Sequence, residues 1–230
     1  MPRKTLYACE SPCADDSTLA DWSMQPFLHG LAMLHDFRLL YRTFTSGDEL
    51  RRLLSSEFPN GESTSKIAYI SSHGHGARLS AGFGTRDINL KSVAGSVHAH
   101  IEGVWISACE VGSSDILREF LLKGRAIWAA GYTCEIPWES AMLIDMAVMN
   151  AVMSSDHVSS KSAAVGVIAK ALRIFSPNWK VGKRNGEDIS LCNAFHLEAR
   201  DEVQGSRAQD VTEQLLEKLK WIGVRDRMSV

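Results

Sequence analysis

The sequence predicts a single α/β domain built on a mainly parallel sheet with helices on both faces. Short apolar runs alternate with stretches of helical periodicity, the order expected when crossover helices join parallel strands. No repeat, low-complexity tract or Pro/Gly-rich linker divides the 230 residues. Hydrophobic side chains make up 45% and charged ones 23%, which suffices for a substantial core.

The elements follow in order. Lys4–Cys9 (KTLYAC) is a short strand, Met24–His35 has helical spacing, and Phe37–Thr45 is rich in strand formers. Ser46 caps a helix through Ser56, with Glu49 placed for a capping box. Lys66–Ser72 (KIAYISS) and Gly103–Ala108 (GVWISA) are strands, separated by a loop-rich stretch with a hairpin near Arg86–Leu90. Ser113 caps an amphipathic helix, and Arg125–Gly131 (RAIWAAG) is a further strand. Pro137 suits the first turn of a long helix to Ser154. Further helices are expected within Ser160–Phe175 and across Ala208–Trp221. The polar Ser176–Ser190 reads as a surface loop or hairpin.

Several function classes are disfavoured at once. Net charge is −2 without a run of one sign, so no nucleic acid or anionic membrane partner is expected. The N-terminal MPRKTLYACESP is not a secretory signal, and no run of apolar residues is long enough to span a bilayer. Five scattered cysteines (Cys9, Cys13, Cys109, Cys134, Cys192) do not make a disulfide framework; a soluble cytoplasmic protein with free thiols is expected.

Chemistry gathers at two strand ends. KIAYISS runs into His73-Gly74-His75-Gly76, and GVWISA runs into Cys109. Ligands of parallel sheets bind beyond the carboxyl ends of the strands, so neighbouring strands would present His73 and Cys109 together. A cysteine between a strand and a helix N-terminus should have a lowered pKa, with an imidazole as its base. Gly74 permits close backbone approach, and the N–H groups of Gly74 and Cys109 could hold an oxyanion.

These segments carry a resemblance. Ile70–Gly76 (ISSHGHG) resembles the strand-Ser-His-Gly element of caspases. Ile106–Gly112 (ISACEVG) is similar to their Ala-Cys element and closer still to the Ser-Ala-Cys-Glu-x-Gly signature of CHAT domains, which are caspase and separase relatives. Gly124–Ala151 looks like the strand and helix that follow that cysteine, so the likeness runs from about Lys66 to Leu172. It implies a caspase-like fold and a clan CD cysteine endopeptidase with His73 as base, Cys109 as nucleophile and Gly74 as oxyanion donor. No metal or other cofactor is implied.

The resemblance also implies a protein substrate in a regulated bacterial defence or cell-death system, with a neighbouring gene as its source. CHAT domains often carry a helical repeat arm, which is missing here; a sensor or activator would be a separate protein. Ser107 stands two before the cysteine, where caspases place a Gln that helps hold acidic P1 residues. The 36 residues from His73 to Cys109 are fewer than the roughly 50 of caspases. Relatives that accept Lys or Arg place an acid near the dyad. Glu135 is therefore the leading S1 candidate alongside Ser107, with Glu110, Glu139 and Asp145 next, and a basic or neutral P1 residue is expected.

Other readings exist for the same residues. His75 rivals His73 as base. A silent CHAT-like binding module would carry the same motifs without chemistry. His73 and His75 with His98 and His100 form two His-x-His pairs that could serve a zinc hydrolase, although no aspartate completes a familiar ligand set. The 74–102 connection and the 176–190 loop, with Lys180, Lys183 and Arg184, are candidates for gating or cleavage.

Overall fold

The computed structural model describes residues 4–11, 23–55, 66–80, 87–156, 158–201 and 206–221. The segment TLYACE forms β1 (Thr5–Glu10), with all six residues buried as in an inner strand. α1 (Gln25–His35) has Pro26 in its first turn, where a missing N–H is harmless. β2 (Arg38–Thr43) and α2 (Gly47–Ser55) follow. Ser46 Oγ accepts from the Glu49 N–H at 3.2 Å, while the Glu49 carboxylate accepts from the Thr45 N–H at 2.7 Å. The capping box thus forms with its return bond one residue early.

After β3 (Lys66–Ser71), the stretch expected as loop holds several short elements among its described residues. β4 (Gly74–His75), β5 (Arg78–Leu79) and β6 (Ile88–Asn89) make a small antiparallel sheet in that order. Asn89 then caps α3 (Leu90–Ala94) by accepting from the Lys91 N–H at 3.0 Å. Strands of two residues have no periodicity to read, which is why the sequence shows a loop there. Arg86, where the hairpin was expected to start, lies outside the described residues.

β7 (Gly103–Ser107), α4 (Ser114–Leu122), β8 (Trp128–Tyr132), α5 (Trp138–Ser154) and α6 (Lys161–Leu172) lie within a few residues of their predicted positions. Residues 176–190 hold the hairpin of β9 (Lys180–Arg184) and β10 (Glu187–Ser190), turning at Asn185 and Gly186, both at positive φ. β11 (Phe195–Ala199), β12 (Gln209–Asp210) and α7 (Thr212–Leu219) are the last strands and helix among the described residues.

The main sheet has the order β12-β11-β8-β7-β3-β1-β2. Its five strands β2, β1, β3, β7 and β8 are parallel. β11 adds antiparallel to β8, and β12 antiparallel to β11. Leu6, Tyr69, Trp105, Trp128 and Tyr132 face a core closed by α1, α5, α6 and α7. Tyr7, Ile70, Ile106 and Ala129 face a second core under α2, α3 and α4. No described helix is long and apolar enough to cross a membrane.

One carboxylate ties this frame together. Asp145, fully buried on α5, accepts from the Tyr69 hydroxyl at 2.8 Å, the Trp105 indole N–H at 2.7 Å and the Tyr132 hydroxyl at 2.6 Å. The Ser107 hydroxyl is hydrogen-bonded to it as well. Its donors therefore come from the neighbouring strands β3, β7 and β8. Burial pushes the carboxyl up to about 6 against the pull of those four bonds.

Because the native carboxyl keeps its proton to higher pH than the unfolded one, the folded state binds more protons between about pH 4 and pH 6. Stability attributable to Asp145 is present below that window and falls as pH rises through it. In urea unfolding, wild type should lose about 2–3 kcal/mol relative to Asp145→Asn across that range. Parallel pH profiles for the two proteins would contradict this.

Candidate active site

The carboxyl edge of the parallel strands builds a cleft of about 520 Å³. Register places Thr43, Glu10, Ser71 and Ser107 in one row across β2, β1, β3 and β7. All four line the cleft, and His73 and Cys109, two residues further along β3 and β7, stand at its rim. Ile136, Pro137, Trp138 and Ala141 form the opposite, apolar wall.

The two strand ends are held close by backbone. The Ser72 N–H donates to the Ser107 carbonyl at 3.2 Å, and the His73 carbonyl accepts from the Ser80 N–H at 2.9 Å. A Cβ on Gly74 would lie 3.0 Å from Cys109 N and 2.9 Å from the Ala108 Cβ, and closer still to the Cys109 carbonyl oxygen. Only glycine lets these backbones touch. The turn after Cys109 is equally tight. Glu110 takes a positive φ of 59°, and Gly112 donates to the Tyr132 carbonyl at 2.7 Å, where a side chain would strike the backbone of Gly131.

The Cys109 thiol is half-buried beside Ile136, whose N–H points at Sγ from 3.3 Å. Burial raises its pKa above the ordinary thiol value; the Ile136 N–H opposes this, and Glu135 and Glu110 add to the rise. This corrects the expectation of a lowered pKa. α4 starts only at Ser114, and a helix dipole fades within about one turn. A thiol in this setting needs a base before it can attack.

Of the two histidines, His73 lines the cleft. His75 Nδ1 sits 2.7 Å from the Glu110 carboxylate with its side chain 92% exposed. The His98 and His100 rings meet at a tilt with centroids 5.0 Å apart, and among the described residues the four histidines do not converge on one ion position.

The acid that lines the cleft is Glu10, which the sequence did not single out. It is 6% exposed yet lines the cleft. One oxygen accepts from the Met24 N–H at 3.0 Å; the other accepts from the Ser23 hydroxyl at 2.7 Å and from the Tyr41 hydroxyl. A carboxylate has about four acceptor sites, so among the described residues one is left over. Beside it, the buried Ser11 hydroxyl in the cleft wall has no partner among the described residues. Glu10 falls in no motif. It emerges only because β1 pairs with β3 and brings Glu10 level with Ser71.

The other predicted residues are placed differently. Ser107 lines the cleft floor with its hydroxyl turned to Asp145. Glu135 is exposed and outside the cleft lining; its backbone is bridged to Lys183 by two 2.8 Å hydrogen bonds. Cys9, Cys134 and Cys192 are buried free thiols, and Cys13 lies outside the described residues. Arg184, expected as a cleavage site, donates to the Thr133 and Asn193 carbonyls and is anchored there.

No protein-family model matches the sequence, and no curated protein does. Solved structures match by shape. A secreted C11 cysteine protease from Bacteroides thetaiotaomicron, in complex with an irreversible peptide inhibitor, has a TM-score of 0.56 at 14% identity over 86% of this chain and 66% of its own. A structure of iotapain, a secreted C11 cysteine protease from the same organism, has a TM-score of 0.52 at 9% identity over 87% of this chain and 67% of its own. The chain spans about two thirds of the length of these proteases. What is shared is the fold, a caspase-like α/β sheet with flanking helices.

A raised thiol pKa has a direct readout. Alkylation of Cys109 by iodoacetamide, mapped by mass spectrometry, should be slow at neutral pH in His73→Ala and climb only above the usual thiol range. If the His73 imidazole takes the thiol proton, wild type should react faster near pH 7. Equal rates in both proteins would show that His73 does not act on Cys109.

Proposed function

We propose that this protein is a cysteine endopeptidase in which Cys109 attacks a peptide carbonyl and His73 is its base. The observation that carries this reading is the placement of His73 and Cys109 at the ends of paired strands on one cleft. In the first step the S–C bond forms as the thiol proton passes to His73. The C–N bond then breaks, and the departing amine takes that proton, leaving a thioester. Water, deprotonated by His73, releases the acid and restores the thiol. Gly74 lies against the Cys109 backbone, and the N–H groups of Gly74 and Cys109 serve the tetrahedral oxyanion in this reading. The C11 likeness supports the fold on which such chemistry occurs; the closer kinship to CHAT domains rests on the ISACEVG motif.

The polar end of the cleft favours a basic P1 residue. Glu10 is held ready by three donors, and a guanidinium or ammonium would fill its remaining acceptor site and meet the orphan Ser11 hydroxyl. Glu10 replaces Glu135 as the acid best placed for this, because Glu135 is outside the cleft lining. The substrate is proposed to be a protein of a bacterial defence or cell-death system, encoded by a neighbouring gene. We place the reaction in the cytoplasm, with a separate sensor or activator controlling it.

Cys109→Ala and His73→Ala should each reduce cleavage of peptide substrates by roughly 10³-fold or more, since groups acting as one unit fail together. His75→Ala should stay within a few-fold of wild type. A silent binding module would show no cleavage in any of the four proteins, across a library of all P1 residues.

In that library Lys or Arg at P1 should dominate. Glu10→Gln should lower kcat/KM for basic substrates by about 10- to 100-fold, the worth of one hydrogen bond to a charged partner, and spare neutral ones. Basic preference that survives Glu10→Gln would return the role to Glu135.

A further inference from the structure

We propose that the edge of the sheet away from the cleft holds a divalent transition metal of the zinc class, bound by His196, Glu198 and Asp210. Each offers a ligand atom, and the three atoms lie within 4.8 Å of one another. His196 and Glu198 are two apart on β11 and share a face; Asp210 is the direct cross-strand partner of Glu198 on β12. His196 Nε2 is 3.1 Å from Glu198 Oε1 and 3.5 Å from Asp210 Oδ1. Zinc bonds of about 2.0–2.2 Å at tetrahedral angles give ligand-to-ligand edges of about 3.3–3.6 Å, and the two edges from His196 are close to that.

The charge pattern gives a second, independent reason. Two carboxylates directly opposite each other on adjacent strands repel, and natural sheets avoid that pairing unless a cation lies between them. Glu198 is fully buried, which sharpens the cost. Arg118 Nε, on α4, donates to Glu198 Oε2 at 3.2 Å and so neutralises one carboxylate from the side. Oε1, the oxygen on the His196 side, accepts from the Ser114 hydroxyl and is hydrogen-bonded to His196 Nε2. The Thr212 N–H holds Asp210 Oδ1 at 2.8 Å. Arg118, Ser114 and Thr212 thus orient the carboxylates from outside, as the partners of metal ligands do. The His196 side chain is 17% exposed, which leaves a path for an ion. A metal here would pin the two-residue β12 to β11 and α4, at the edge of the sheet that is short of pairing.

Cobalt(II) titration of the full chain carrying Cys109→Ala, so that the cleft thiol does not compete, tests this by visible absorbance. One equivalent should bind with the weak d–d bands of nitrogen and oxygen ligands. His196→Gln and Asp210→Asn should each weaken binding at least tenfold. Asp210→Asn keeps the acceptor for Thr212 on a half-exposed side chain, so it reads out even if His196→Gln unfolds the edge. Zinc should raise the melting temperature of the parent chain and not of Asp210→Asn. Absence of saturable cobalt binding, a thiolate charge-transfer band, or affinity that survives Asp210→Asn would overturn the site and leave these residues as an ion-pair network only.

Discussion

Everything at the cleft depends on the parallel register of β3 with β7, which pairs Ser71 with Ser107 and so ends both strands at the same height. A slip of one residue would send the whole row to the opposite face, because side chains alternate with a period of two. Tyr69 and Trp105, one turn of the pleat below, oppose each other in that register and both donate to Asp145. The register is therefore fixed twice, by backbone pairing above the core and by a shared acceptor within it. Gly74 completes the constraint by allowing the chain after β3 to lie against Cys109 itself.

Two carboxylates on the same face show how environment divides their work. Asp145 is sealed in the core with four donors, and burial still wins, so its carboxyl stays protonated into the weakly acidic range. Glu10 lies one strand further out with three donors and opens on the cleft. The first suits holding strands; the second suits receiving a cation. Cys109 belongs to the same logic. A half-buried thiol with two carboxylates nearby is costly to ionise, so any reaction at it would need a neighbouring base.

How much of this was visible in the residues depends on length and periodicity. The five parallel strands and their helices were legible, since each is long enough to carry an apolar pattern. β11 and β12 were not. β11 (FHLEA) mixes His196 and Glu198 into an inner strand, and β12 has only two residues. In the site, His73 and Cys109 stood out because strand ends followed by Gly and by a small polar turn are recognisable. Glu10 sits at a strand end too, but nothing local distinguishes it from any exposed acid before a turn.

The sequence by itself determined which strands exist, which end in reactive side chains, and where the chain must turn on glycine, because these follow from local pattern and sterics. Only the tertiary structure decided the order of the strands, and with it which side chains meet. Glu10 is 99 residues from Cys109 along the chain yet shares its cleft, whereas Glu135, 26 residues away, is drawn to the surface by the β9 hairpin. The sign of the thiol shift was decided the same way. Desolvation depends on how deeply the packed fold buries Sγ, a quantity that no local motif contains.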